Sequence, residues 1–494
     1  MMGKGKVYLV GAGPGDVKLL TIRGLELLKQ AEVLVYDRLA SGQLLKEVPE
    51  DCECIFVGKS ASAHTLPQNE INEVLVEKAL AGKKVVRLKG GDPYVFGRGG
   101  EEAQHLYRFG IDFEVVPGIS SVVGGLAYGG IPVTHRDFSS SFHVFSAHLK
   151  SEDLMLDWQT IGKLTGTLVF VMGAKRLSEI ALNLLDGGMN PQTPVAIITH
   201  ATTSRQKVVT MTLTDATTGV AVSPSLIVVG DVVNVQSELS FFEKRSLFGK
   251  TIVVTRARRQ NGDFASRLMD LGANVVEVPT IKIQPFKNQA QLIQEIEGLN
   301  GYDWLVFTSV NGVEIFFNVL YDLNLDVRKL AHLKVAVIGK QTGKTLEKYG
   351  IRADVVPKTA TLEGLAEALG GFVKSTDRIL MPKAKVSRDV LAGALLGEIV
   401  EVPIYETVID LSKKDELLDC LKGRTVDYVT FSSASTVNHF VQLLGEENLG
   451  LMADVKIFSL GPITSEAIVK HGFLVYKEAS EACFDCLVEE MVCE

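Results

Sequence analysis

The feature that most constrains this chain is its punctuation. Short β-branched runs end in glycine, and each is followed by an amphipathic stretch. Residues 6–10 read as a strand running into Gly11-Ala12-Gly13-Pro14-Gly15-Asp16. Residues 19–30 then read as a helix, with Leu20, Gly24, Leu27 and Leu28 on one face. Val33–Tyr36, 84–88, 112–116, 167–172, Pro194–Thr199 and Ser225–Val229 read as further strands. Such alternation implies an α/β fold, whose ligands meet the loops at the carboxyl ends of the strands.

At about 100–200 residues per domain, 494 residues suggest three or four folding units. The net charge of −8 argues against a basic nucleic-acid footprint. No apolar stretch approaches the ~18 residues of a membrane span. Only residues 7–10 are apolar before the first glycine loop, too few for a signal peptide. The cysteines Cys52, Cys54, Cys420, Cys483, Cys486 and Cys493 are sparse and unevenly placed, as reduced thiols are. These observations lead us to expect a cytoplasmic protein with no nucleic-acid or membrane partner. A charged cluster at 241–250 separates the strand closing at 226–233 from one opening at 251–256, and reads as a linker.

Beyond that cluster the chain repeats itself. Trp304-Leu305-Val306-Phe307-Thr308-Ser309 resembles Tyr428-Val429-Thr430-Phe431-Ser432-Ser433. Each is followed by an amphipathic stretch and then a strand ending in glycine, Gly339 or Gly461, with Thr342 or Thr464 just after. Two copies of one strand–loop–helix design imply two similar lobes.

The 11–16 loop departs from the dinucleotide fingerprint. Pro14 removes a backbone donor, and Asp16 stands where the third glycine belongs. A carboxylate there repels pyrophosphate, so a ligand without phosphates fits better, as does a plain structural turn. A second loop, Gly90-Gly91-Asp92-Pro93-Tyr94-Val95-Phe96-Gly97-Arg98, leaves its strand at a double glycine that permits close backbone approach. Asp92 either accepts from a ligand or caps the turn that follows.

With Tyr36-Asp37-Arg38-Leu39, Val57-Gly58-Lys59, Val116-Pro117-Gly118-Ile119-Ser120-Ser121 and Tyr128-Gly129-Gly130-Ile131-Pro132-Val133-Thr134-His135-Arg136, these loops resemble the uroporphyrinogen-III C-methyltransferases. The likeness covers about residues 5–240. It implies a tetrapyrrole-methylase fold of two α/β subdomains, about 1–118 and 119–245, with S-adenosylmethionine between them, and a homodimer formed through this half. By position, Pro14, Gly90, Gly91, Asp92, Val95, Ser120, Ser121, Met172 and Ala201 would meet the cofactor. Asp37 matches the family's proton acceptor and Lys59 its proton donor. Arg38, Arg98 and Arg136, with Arg87, Lys89 and His135, lie in or beside motif loops where substrate carboxylates could be received. Plainer readings stay open: Met172 as core, and Asp37 in an ion pair with Arg38 or Lys59. Gly129, where alanine or serine is common, departs from the family pattern.

Residues 249–494 hold no strong nucleophile. Cys483-x-x-Cys486 with Cys493 lacks a second ligand pair at zinc spacing, so no metal is expected. In the repeat it aligns with Thr361-Leu362-Glu363-Gly364-Leu365, a helix start. The hydroxyls Thr308, Ser309, Thr342, Ser432, Ser433 and Thr464 recur on strand-end loops, where they suit a polyanion or cap the next helix. On Val253-Val254-Thr255-Arg256, Phe307-Thr308-Ser309, Pro403-Ile404-Tyr405-Glu406-Thr407, Phe431-Ser432-Ser433 and Leu460-Gly461-Pro462, this half resembles uroporphyrinogen-III synthase. Ala257 departs from a frequent proline. The resemblance implies two α/β lobes, about 249–284 plus 408–494 and about 288–402, joined by a two-stranded connector through 278–283 and 402–407. Tyr405 matches a family tyrosine implicated in catalysis, though strand packing alone would explain it.

Together the halves imply an enzyme that converts hydroxymethylbilane to uroporphyrinogen III and methylates it twice to precorrin-2, for siroheme and cobalamin. The competing reading is a dinucleotide-dependent dehydrogenase fused to a two-lobed small-molecule-binding module. Pro14 and Asp16 count against it.

Overall fold

The computed structural model describes residues 4–37, 42–58, 66–147, 156–256, 262–386, 391 and 393–494. Its contacts divide the chain into two compact units. The first runs to Ile252 and adds Ser266–Val275 and Met491–Glu494; the second holds Val253–Ala265 and Val276–Glu490.

In the first unit, β1 (Val7–Gly11), β2 (Val33–Tyr36), β3 (Glu53–Phe56), β4 (Val85–Lys89) and β5 (Phe113–Val116) form a parallel sheet in the order β3-β2-β4-β1-β5. The chain leaves β1 toward β2 on one side and leaves β4 toward β5 on the other. The β1/β4 seam is therefore a topological switch point, where an open α/β sheet makes its crevice. Gly11 pairs with Lys89 across that seam, which sets the two glycine loops side by side. The expected long helix is shorter than the sequence pattern. Asp16 caps a 3₁₀ turn at Val17–Leu19, and Thr21 then caps the helix Ile22–Leu28.

β6 (Phe142–Ser146), β7 (Thr167–Val171), β8 (Pro194–Thr199), β9 (Lys207–Thr212) and β10 (Ser225–Val229) form a mixed sheet in the order β6-β7-β10-β8-β9. β6 and β7 run parallel, and β10 runs antiparallel to both β7 and β8. The segment expected as a linker at 241–250 is packed chain. Phe242 is 4% exposed and Leu247 1% exposed. Tyr128 lies 4.7 Å from the Phe242 ring, and the Arg245 guanidinium sits 4.7 Å over that ring's centroid. Charge alone misled here, because Arg245 uses its cation on aromatic faces rather than on water.

In the second half β11 (Thr251–Val254) and β12 (Asn274–Glu277) open a sheet completed by strands from the far end of the chain. Between them come β13 (Ile281–Pro285), β14 (Trp304–Phe307), β15 (Lys334–Val337), β16 (Arg378–Ala384) and β17 (Glu398–Ile409). β18 (Tyr428–Phe431), β19 (Lys456–Ser459) and β20 (Lys477–Glu478) follow. The sheets are β12-β11-β18-β19-β20 and β13-β17-β16-β14-β15. β17 runs parallel to β16 and then antiparallel to β13, through Tyr405–Ile409 against Ile281–Pro285. The repeat is visible as structure. β14 pairs β15, and β18 pairs β19, in the same parallel register. Ser309 and Ser433 cap the following helices with near-identical backbone angles, φ −160° and −162°.

The expectation of reduced cysteines is corrected at one pair: Cys483 and Cys486 form a disulfide. Both stand at one helix start with Cα atoms 5.5 Å apart, within the span a disulfide bridges. Cys483 Sγ accepts from Cys486 N, as Thr361 Oγ1 accepts from Gly364 N in the other copy.

Truncating Phe242 to alanine removes a buried ring from the seam at 241–250. It should cost the first unit about 3–5 kcal/mol. Trp158 emission during denaturant unfolding, in a Trp304→Phe background, measures it.

Candidate active sites

One cavity of about 1050 Å³ lies over the β1/β4 seam, walled by both sheets of the first unit. Its lining gathers Pro14, Asp37, Gly90, Gly91, Val95, Arg98, Ser120, Ser121, Met172 and Ala201 from the residues singled out in sequence. Arg38 and Lys59 lie outside the described residues. Arg136 is exposed and is not among the lining residues.

The glycines serve loop-to-loop contact. Gly13 and Gly91 hold positive φ (+78° and +67°) and exchange two backbone hydrogen bonds, Gly13 N to Gly91 O (3.2 Å) and Gly91 N to Gly13 O (2.7 Å). A Cβ on Gly11 would stand 2.5 Å from Gly118 Cα, and one on Gly118 2.2 Å from Gly91 O. The Gly13 and Gly91 amides are thus committed to each other rather than to a phosphate. Asp92 caps as well: Oδ1 accepts from Tyr94 N and Val95 N, and Oδ2 from Gly118 N. Its carboxylate ties loops together and is absent from the cavity lining. Asp16 Oδ2 accepts from Tyr128 Oη at 3.0 Å. Burial, then the Asp16 charge, pushes that phenol up to about 12. The lining around the glycines is hydroxyl, carbonyl and thioether, from Ser120, Ser121, Ala201 and Met172. Such a set of polar and soft groups fits a nucleoside carrying a sulfonium.

The floor of the cavity is a charge network. Arg87 and Lys89, expected to receive carboxylates, are 3% and 4% exposed. Both are answered from within. Lys89 Nζ donates to Glu102 Oε1 at 2.8 Å, Arg87 Nε to the same oxygen at 3.3 Å, and Arg87 Nη2 to Asp37 Oδ2 at 3.3 Å. Burial, reinforced by Arg87, lowers the Lys89 ammonium below its usual range. Asp37 is therefore held by Arg87 at the edge of the cavity. Arg98 lines the cavity while its guanidinium pairs with Glu101.

Met172 is 53% exposed, so the reading as core is overturned. Its left-handed backbone (φ +57°) ends β7 and turns the side chain outward. His200 (φ +48°) does the same after β8, and both line the cavity. Such conformations cost about 1–3 kcal/mol each and cluster at functional sites. Sequence reasoning missed His200, Lys175 and Arg205, since nothing in a β-branched run announces a left-handed turn at its end.

In the second unit the hydroxyls divide. Ser309 Oγ accepts from Gly312 N and lies 2.9 Å from Tyr405 Oη. Tyr405 is 5% exposed, so its phenol meets Ser309 at the capped start of the helix Val310–Asp322. Thr308 adjoins them at the end of β14. Ser433 sits in a capping box with Thr436. Thr342 and Thr464 are buried in the first turns of their helices. Among the described residues no group of three His, Cys, Asp or Glu could hold a metal, and no helix is long and apolar enough to cross a membrane.

Two α/β layers closing over a switch-point cavity, followed by a twice-repeated strand–loop–helix unit, define a two-module enzyme. Residues 6–217 match the tetrapyrrole (corrin/porphyrin) methylases, and residues 262–489 match uroporphyrinogen-III synthase HemD. A porphyrin biosynthesis protein HemD of Ruminiclostridium josui is 39% identical over 499 residues, 99% of this chain and 98% of its own. A uroporphyrinogen-III C-methyltransferase of Bacillus subtilis is 42% identical over 356 residues, 71% of this chain and 73% of its own. A solved uroporphyrin-III C-methyl transferase from Thermus thermophilus, complexed with S-adenyl homocysteine, is 39% identical across 47% of this chain and 94% of its own, with a TM-score of 0.41. The chain belongs to the family of porphyrin-biosynthesis proteins that join a tetrapyrrole methylase to a uroporphyrinogen-III synthase. That membership displaces the dehydrogenase reading.

Glu102 touches both Arg87 and Lys89 at their buried ends, and its side chain is 0% exposed. Glu102→Gln should therefore destabilise the first unit by about 3–5 kcal/mol, the usual result of removing one partner from a buried charge set. Chemical denaturation checks it. Burial, with Arg205 nearby, lowers the His200 pKa below 6.5. The stability it contributes is present above pH 6.5 and is lost as pH falls through the folded value. An NMR titration of the imidazole should find its midpoint below 6.5.

Proposed function

We propose that the second half closes hydroxymethylbilane to uroporphyrinogen III with inversion of one ring, and that the first half methylates that product twice to precorrin-2. Precorrin-2 feeds siroheme and cobalamin formation. The observation that carries the reading is a cavity lined by both glycine loops, with Asp37 at its edge and the Gly13 and Gly91 amides bonded to each other. Bound there, S-adenosylmethionine would supply an electrophilic methyl group. Pro14, Gly90, Gly91, Val95, Ser120, Ser121, Met172 and Ala201 would hold it, with Asp92 bracing the loop. Methyl transfer to an electron-rich pyrrole then needs the ring carbon held in line and its proton removed. Asp37, oriented by Arg87, takes that proton, and Lys59 is the proton donor. Arg38, Arg98 and Arg136 serve the substrate's carboxylates.

In the second half the Tyr405 phenol assists departure of the bilane's hydroxyl, and Ser309 orients it. Thr308, Thr342, Ser433 and Thr464 lie on or behind the loops that hold the polyanion. The family resemblance adds a homodimer through the methylase half and a cytoplasmic setting.

Incubation with hydroxymethylbilane, with and without S-adenosylmethionine, tests the whole reading. Uroporphyrinogen III should accumulate without the methyl donor and methylated product with it. Formation of only the uninverted type I isomer sinks the synthase assignment. Asp37→Asn should slow methylation of supplied uroporphyrinogen III by about 10²–10⁴-fold with cofactor affinity retained. Tyr405→Phe should depress type III formation alone, read as isomer ratio by chromatography.

A further inference from the structure

The cationic side chains around the methylase cavity are not equivalent. Arg87 and Lys89 are answered by Glu102 and Asp37, Arg98 by Glu101, and Arg176 by Glu179. Lys175 and Arg205 also line the cavity, both are exposed, and neither has a carboxylate partner among the described residues. An exposed cation is ordinary by itself. These two stand out by placement. Lys175 follows β7 on the turn that Met172 (φ +57°) begins, and Arg205 follows β8 on the turn that carries His200 (φ +48°) and Thr202 (φ +64°). Two strained turns from one sheet thus bring two uncommitted cations to one cavity. Burial first, and then the nearby Arg205 charge, lower the His200 pKa.

We propose that Lys175 and Arg205 are specificity residues of the methylase half, binding carboxylates of the porphyrinogen. This rests on the methyltransferase reading above. Arg87 and Lys89 of the first sheet are already neutralised, so a polyanionic ring finds further countercharge on the second. Arginine offers a planar fork for a carboxylate, and lysine a point charge. Both attractions weaken with salt because both groups face water.

The test uses the full chain with supplied uroporphyrinogen III. Lys175→Ala and Arg205→Ala should each raise its KM about tenfold or more, as loss of a charge-assisted contact does. kcat, and the S-adenosylmethionine Kd by calorimetry, should be unchanged, and Arg205→Lys should recover part of the loss. Raising ionic strength should narrow the gap between wild type and the double variant. A porphyrinogen whose acetates are replaced by methyl groups should feel the substitutions less. Fluorescence binding of uroporphyrin III, the oxidised ring with the same carboxylates, gives a readout independent of turnover. A wild type that does not methylate uroporphyrinogen III sinks the underlying reading and this proposal with it. A wild type that does, beside a double variant with unchanged KM and unchanged uroporphyrin binding, overturns this proposal alone. Weakened S-adenosylmethionine binding with KM unchanged overturns it too, by making the two residues cofactor contacts.

Discussion

The methylase half depends on one contact, the near-touching of three loops through Gly11, Gly13, Gly91 and Gly118. Any side chain at Gly11 or Gly118 would drive a Cβ into backbone at 2.5 Å or less. Because no side chain intervenes, the carboxyl ends of β1 and β4 are locked together by hydrogen bonds between their own main chains, and the turn after β5 packs directly on them. Asp92 closes the arrangement by accepting from Gly118 N. A rigid rim of this kind holds the cavity open without drawing on its ligand, and so presents a preorganised site.

Electrostatics then divides the two walls. On the first sheet, Arg87, Lys89, Glu102 and Asp37 form a set in which each charge has a counterpart. Burying those cations is tolerable only because Glu102 is buried with them. What the set leaves at the cavity edge is an oriented carboxylate, Asp37. The second sheet contributes its charge on exposed turns, where it costs little to carry and can be satisfied by whatever enters.

Much of the fold was legible in sequence because strand–glycine–helix punctuation is a local signal. Val33–Tyr36, Pro194–Thr199 and Ser225–Val229 appear as strands with the bounds the residue pattern gives. The repeat was legible down to its caps, since Ser309 and Ser433 follow the same aromatic strand end. Less local features were hidden. Nothing in the composition of Phe241–Arg245 distinguishes a solvated linker from a cation packed on aromatic rings. Met172 was ambiguous because exposure there depends on a left-handed backbone. The commitments of Arg87 and Lys89 were invisible because Glu102 reaches them from a helix that the chain places only in three dimensions. Asp92 was left open between ligand contact and cap, and its three backbone partners favour the cap.

The long strand β17 has a mechanical consequence. Its first part belongs to a parallel sheet with β16 and its last part to a ribbon with β13, and the register slips between Lys383 and Ala384 as the partner reaches Tyr405. Tyr405 thus sits at the handover from one pairing to the other, opposite both Ala384 and Pro285. A twist of the ribbon is carried by the same backbone that bears the phenol, and the Ser309 contact is the tether it works against. Tyr405 thereby couples both strand pairings to the helix start that Ser309 caps.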